Sequence, residues 1–449
     1  MKREQLKKAA VLTAAVILSF GALTGCGAAD AAKEPVKGED KAEKTVEKEV
    51  EEKESAEGGT VEITFWSHFG GDDGKYLNNM VEEYQSSHPE VRIEHLEVTN
   101  EDYYTKFKTG IASGEGPDVS TGDANRLVEF KEAGLVEDME PYAEAAGVDW
   151  ESYNQNVLNT CIVDGAHLAI PLSSYVTIMF ANKALLEEAD MLRLNEAGVI
   201  DFGNTPEEFI AYLEEYEEKK PDDTYTIVGG TTMDDPYRFW WSLYGQTGER
   251  LLSEDGLSTN INSENSKKSL KLAASLTEKG LWPANIENSD QVFLANKAAF
   301  YVSGNWWVGA AAEAGMDFIA MPVPQVYDEP SAWGGTHVFY LNPRQGQTEE
   351  QKIEAVKFAN WLATNSAEWA KGGHIPANTG VIESEEYKSL GHRETYEMVN
   401  AYMLDLPAVD NVNAIVEVFR NNIPLAFNGA SSVENVLADC EQEINALLQ

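Results

Sequence analysis

Basic residues are scarce in this chain. Lys and Arg number 34 against 76 Asp and Glu, for a formal charge of -42. A nucleic-acid surface needs a clustered basic stripe, so that class is excluded. A polyanionic ligand is disfavoured as well, although charges beyond about 10 Å are screened at physiological salt and a local cationic pocket is still allowed. Cysteine is rarer still, with three in 449 residues, too few for a disulfide framework. Cys161 and Cys440 could pair in an oxidising exterior or stand as two buried thiols. No Cys/His spacing reads as a zinc site. There is no helical His-x-x-x-His, EF-hand loop, P-loop or Gly-x-Ser-x-Gly elbow. No metal, cofactor or catalytic residue is therefore expected. The longest apolar run near the start, residues 9–18, is too short for a permanent membrane span.

That run belongs to an export signal. Lys2, Arg3, Lys7 and Lys8 form its charged head, and Leu23-Thr24-Gly25-Cys26 follows its apolar region. The order resembles a bacterial lipobox, which implies a signal peptide over 1–25 and a diacylated Cys26. One acyl chain anchors weakly and two hold firmly. Residues 26–59 carry the cysteine and a Lys/Glu/Ala-rich tether without an aromatic residue, which cannot bury enough apolar surface to pack.

From residue 61 the pattern changes. VEITFW alternates apolar and polar residues as a strand does. Helix, strand and helix follow over 76–84, 91–98 and 103–113. A third strand starts at Asp118-Val119 and a helix runs over 126–132. This β-α-β-α-β alternation marks an α/β lobe with a mostly parallel sheet, and 449 residues exceed one hydrophobic core, so two lobes are expected. The stretch 168–186, LAIPLSSYVTIMFANKALL, organises the rest. An apolar strand leaves one body, passes an exposed polar step at Leu172-Ser173-Ser174-Tyr175, and enters a second body as VTIMF. Thr205, Pro206 and Glu208 read as N-cap, first position and third position of a further helix.

These blocks carry a resemblance. VEITFWSHFGGDDG, GPDVSTGDANRLVEFKEAGLVEDMEPY, IPLSSYVTIMFANKALLEEADM, TPEEF and the late His374-Ile375-Pro376-Ala377 are similar, in that order, to the extracellular solute-binding proteins of carbohydrate ABC importers, maltodextrin and multiple-sugar binders among them. The family more often has Tyr-Asn where this chain has Ala181-Asn182. The resemblance implies a type II fold of two α/β lobes joined by a multi-segment hinge. Lobe 1 would be 60–173 plus about 323–375, and lobe 2 about 174–322 plus 376–449. It also implies a lipid-anchored monomer on the extracellular face of the membrane. That monomer would take a mono- or oligosaccharide in the interlobe cleft and deliver it to a permease.

Sugars present apolar C–H faces to aromatic rings and hydroxyls to directional acceptors and donors. Candidate platforms are Trp66, Trp240, Trp306 and Trp333, with one of Trp240 and Trp241 expected to face the cleft. Candidate hydrogen-bonders are His68, Asp123, Ser174, Tyr175, Asp235 and Tyr237. Gly334 and Gly335 would let backbone approach the ligand closely. Within the same fold a sugar phosphate or glycerol phosphodiester is the alternative, with Arg238 its one visible cation. A secreted glycan hydrolase is the alternative of another class, and it would need two carboxylates about 5–9 Å apart.

Overall fold

The computed structural model describes residues 60–98, 100–284 and 286–449. The expected signal peptide, Cys26 and the tether lie outside the described residues. Strand β1 (Val61–Ser67) buries Ile63 and Phe65 on its core face, as the alternation requires. It pairs in parallel with β2 (Val91–Glu97) and β3 (Val119–Asp123). Asp118, fully buried just before β3, ties this region together. Its carboxylate accepts from the Thr64 N–H and hydroxyl at 2.8 Å each, from Arg344 at 2.8 Å and from Gln347 at 3.0 Å. A small hairpin, β4 (Ile162–Val163) and β5 (Ala166–His167), precedes the longest strand, β6 (Ala169–Asn182). The remaining strands are β7 (Tyr225–Val228), β8 (Ala298–Gly304), β9 (Phe318–Pro322), β10 (Ala332–Leu341), β11 (Ile375–Pro376) and β12 (Met403–Leu404).

Their order is β2-β1-β3-β10-β6-β8-β7, with β9 and β11 also on β6 and β12 on β10. The expectation of a mostly parallel sheet holds at β2-β1-β3 and at β7-β8. It fails at the centre, where β10 runs antiparallel to both β3 and β6, and β6 antiparallel to β8 and β9. The sheet is mixed because β10 returns through the middle of the molecule instead of arriving by a right-handed helical crossover.

Strand β6 spans two bodies of side chains. Ile170 and Leu172 join a core with Phe65, Leu77, Phe339, Phe358 and Trp369. Met179 and Ala181 join another with Phe209, Trp240, Trp241, Phe300 and Phe419. The polar step between them is not exposed. Ser173 faces His337 and Pro376, and Ser174 faces Thr336 and Ile375, so strands on both sides seal it, and both serines are fully buried.

Helices pack where periodicity and caps put them. Thr205 accepts from the Glu208 N–H at 3.2 Å and starts Pro206–Lys219. Thr348 and Gln351 form a reciprocal capping box at the head of Glu349–Thr364, whose Phe358 packs on Phe65. Such a cap contributes about 1 kcal/mol. Cys161 and Cys440 are buried free thiols in separate hydrophobic cores. Among the described residues no helix is long and apolar enough to cross a membrane.

Candidate ligand-binding cleft

Two strand ends begin the site. His68 follows β1, and both its backbone N–H and its Nδ1 meet the Thr121 hydroxyl of β3, at 3.1 and 2.8 Å. Asp123 ends β3. Its carboxylate accepts from Tyr104 at 2.7 Å and from Tyr175 of β6 at 3.1 Å, with Arg126 3.9 Å away. The Arg126 guanidinium lies 3.6 Å from the Tyr104 ring centroid, a close cation–π stack. Positions beyond strand ends are where open α/β sheets place ligands.

From Asp123 a continuous line of side chains runs across the central strands. The Tyr175 ring sits 4.4 Å from His337 and 5.6 Å from Trp333, both on β10. Trp333 then carries the Arg238 guanidinium 4.4 Å above its ring, and Arg238 also lies 5.6 Å from Trp306 and 5.9 Å from Tyr237. Arg238 belongs to the helix Asp234–Gly245. At the head of that helix Asp234 takes two bonds from Arg420, at 2.6 and 2.9 Å, and sits 3.4 Å from Arg238. Asp235 accepts from the Gly230 N–H at 2.8 Å.

Electrostatics follow from burial. Desolvation holds His68 below its ordinary 6.5, against the pull of Asp123. It drives His337 well below that value, helped by His374 and His68. Both imidazoles are therefore neutral at pH 7. Asp405, beside β12, is pushed up to about 7 by burial, while the Leu406 N–H and Asn125 pull it down and Asp123 adds repulsion. Four buried polar atoms around this line have no hydrogen-bond partner: Arg126 Nε, Arg238 Nε, Trp333 Nε1 and Ser174 Oγ. Each costs about 1–3 kcal/mol when buried and unmet.

The structure thus joins His68, Asp123, Tyr175, Tyr237, Trp306 and Trp333, with Asp235 at the head of the same helix as Arg238. It separates others. Trp240 is not a platform: it is fully buried, donates to Ser269 Oγ at 3.0 Å and packs on Tyr244 and Phe419. Trp241 is buried too, so neither of the pair faces the cleft. Their helix is enclosed on nearly all sides, and only Asp234, Asp235 and Arg238 keep partial exposure. Gly334 and Gly335 do not lie open to a ligand. A Cβ on Gly335 would fall 2.4 Å from the Tyr175 hydroxyl, and one on Gly334 2.6 Å from the Tyr175 carbonyl. They admit Tyr175, not solute. Ser174 is sealed within β6. Trp66 packs on Gly110, beneath Lys106.

Sequence reading missed Tyr104, Arg126, His337 and Asp405. Arg126 and His337 had weak local signals, lying three residues after Asp123 and two after Gly335. Tyr104 and Asp405 had none.

The sequence model for bacterial extracellular solute-binding proteins matches residues 79–395. The chain belongs to that family. Among relatives of this solute-binding protein, the maltotriose-binding protein of Pyrococcus abyssi is 22% identical over 351 residues, covering 75% of this chain and 71% of that one. The maltodextrin-binding protein MdxE of Bacillus subtilis is 21% identical, covering 75% and 78%. Solved structures share the two-lobed fold. The cyclic alpha-maltosyl-1,6-maltose binding protein of Arthrobacter globiformis superposes with a TM-score of 0.71 at 22% identity, covering 87% of this chain and 99% of that one. UgpB of Mycobacterium tuberculosis, in complex with glycerophosphocholine, does so with 0.75 at 16%, covering 87% and 98%.

Proposed function

We propose that this solute-binding protein captures a mono- or oligosaccharide between its lobes and delivers it unaltered to an ABC permease. The observation that carries the reading is the line from Asp123 through Tyr175 and Trp333 to Arg238 and Trp306. Aromatic faces there alternate with charged groups, and the unmet nitrogens of Arg126, Arg238 and Trp333 are donors suited to the hydroxyls of a sugar. The names of the maltotriose- and maltodextrin-binding relatives support a sugar. A receptor of this kind does no chemistry on its ligand, in keeping with a family of binding proteins.

On this reading lobe 1 comprises 60–173 and about 323–375, lobe 2 about 174–322 and 376–449, and bound solute favours closure through contacts to both. Cys26 would carry the lipid that holds a monomeric receptor at the extracellular face of the cell membrane.

A glycerol phosphodiester or sugar phosphate is the second reading. It is favoured by the unpartnered Nε atoms of Arg126 and Arg238 and by the likeness to UgpB.

A thermal-shift screen across mono-, di- and oligosaccharides, with glycerophosphocholine alongside, separates the two. A ligand at 100 times its Kd adds about 2.7 kcal/mol of stability. Calorimetry of Trp306→Ala should then show binding weaker by about 1–3 kcal/mol if the sugar stacks there. Stabilisation by glycerophosphocholine alone would overturn the saccharide reading.

A further inference from the structure

His68, Asp123 and His337 each offer one donor atom, and those three atoms lie within 4.8 Å of one another. Two imidazole nitrogens and a carboxylate oxygen form a donor set suited to borderline divalent ions such as Zn2+, Co2+ or Ni2+. Ca2+ and Mg2+ call for oxygen throughout.

The surroundings resemble those of a built site. His68 Nδ1 is engaged by Thr121 Oγ1 at 2.8 Å, which leaves Nε2 to act as donor. His337 Nδ1 meets Ser173 Oγ at 3.4 Å, and Trp369 holds that hydroxyl in turn at 2.8 Å. Asp123 is oriented by Tyr104 and Tyr175. Hydrogen bonds of this kind fix the direction of metal-binding side chains. One feature opposes a cation: Arg126, 3.9 Å from Asp123. The donors must also draw in, since atoms bonded to one tetrahedral ion are about 3.3 Å apart.

We propose that His68, Asp123 and His337 bind one divalent transition-metal ion in the cleft. Three protein donors leave a coordination position open to a water or solute oxygen. The ion would then sit where captured solute meets Asp123 and Tyr175. The inference goes beyond the saccharide reading and does not depend on it.

The test uses metal alone. Chelator-treated protein is titrated with Zn2+ by calorimetry and with Co2+ by visible absorption, without any solute. One saturable equivalent is expected, with the strong d–d bands of a low-symmetry Co2+ centre. Asp123→Asn and His337→Gln should each bind at least about 100-fold more weakly, and Thr121→Val, which frees the His68 ring, about 10-fold more weakly. Arg126→Gln should bind more tightly, because it removes the opposing charge. Circular dichroism checks that each variant folds. Absence of a saturable equivalent overturns the proposal. So does a Co2+ spectrum unchanged in both Asp123→Asn and Arg126→Gln, which would assign the ion to the acidic surface. The saccharide screen, run with chelator present, reports separately on the proposed function.

Discussion

Asp405 offers a direct test of how the cleft is built. Its carboxyl is partly buried, accepts the Leu406 N–H at 2.7 Å, and faces Asp123. Burial raises it from an ordinary 3.8 to about 7. The folded state therefore holds a proton that the unfolded chain has released once the pH exceeds about 4. The linkage sign follows: stability from this group is intact below pH 4, falls as pH rises toward 7, and levels off above that. At 1.36 kcal/mol per unit the full loss is about 4 kcal/mol, and residual solvent access lowers it to about 2 kcal/mol. Asp405→Asn keeps the shape and an acceptor for Leu406 but has no proton to lose. Urea unfolding of both proteins at pH 4, 5, 6, 7 and 8 measures the difference. The variant should gain little at pH 4 and about 2 kcal/mol at pH 8, with the rise between pH 5 and 7. A difference independent of pH, or one favouring the parent at pH 8, would refute the reasoning.

Two further outcomes are expected. Gly335→Ala puts a methyl group 2.4 Å from the Tyr175 hydroxyl, so the ring must move and the Tyr175–Asp123 bond breaks. Stability should drop by about 1–3 kcal/mol and solute affinity should fall, whereas Gly391→Ala, with no atom within 4 Å of the new Cβ, should change neither in melting and calorimetry. Trp240→Phe should cost about 1–3 kcal/mol in urea unfolding through lost packing and the lost bond to Ser269. It should leave affinity untouched, and a variant that binds less but is equally stable would return Trp240 to the cleft.

Part of the candidate site is legible because its residues sit at boundaries that local pattern marks. His68 follows the alternating run VEITFW and Asp123 closes the strand that starts at Val119, and ligands collect near such strand ends. Trp306 follows the Gly304-Asn305 turn and does line up with Arg238. The errors share a cause. Beside two carboxylates, one of Trp240 and Trp241 is expected to be a platform, but whether an aromatic is platform or core depends on what covers its helix, here Phe419 and Tyr244. Ser173 and Ser174 looked like a wet crossing because small hydroxyls usually mark one. In the fold, β10 and β11 cover both edges.

The order of strands and helices, the caps and the acidic surface were determined by the sequence alone, because each rests on periodicity or on groups a few residues apart. Three things were left to the tertiary structure: the antiparallel return of β10, the filling of the Gly335 gap by Tyr175, and the meeting of Asp123 with Tyr175, His337 and Asp405. Those contacts join residues up to hundreds of positions apart. Their energies depend on burial and on neighbours that no local window of the chain contains.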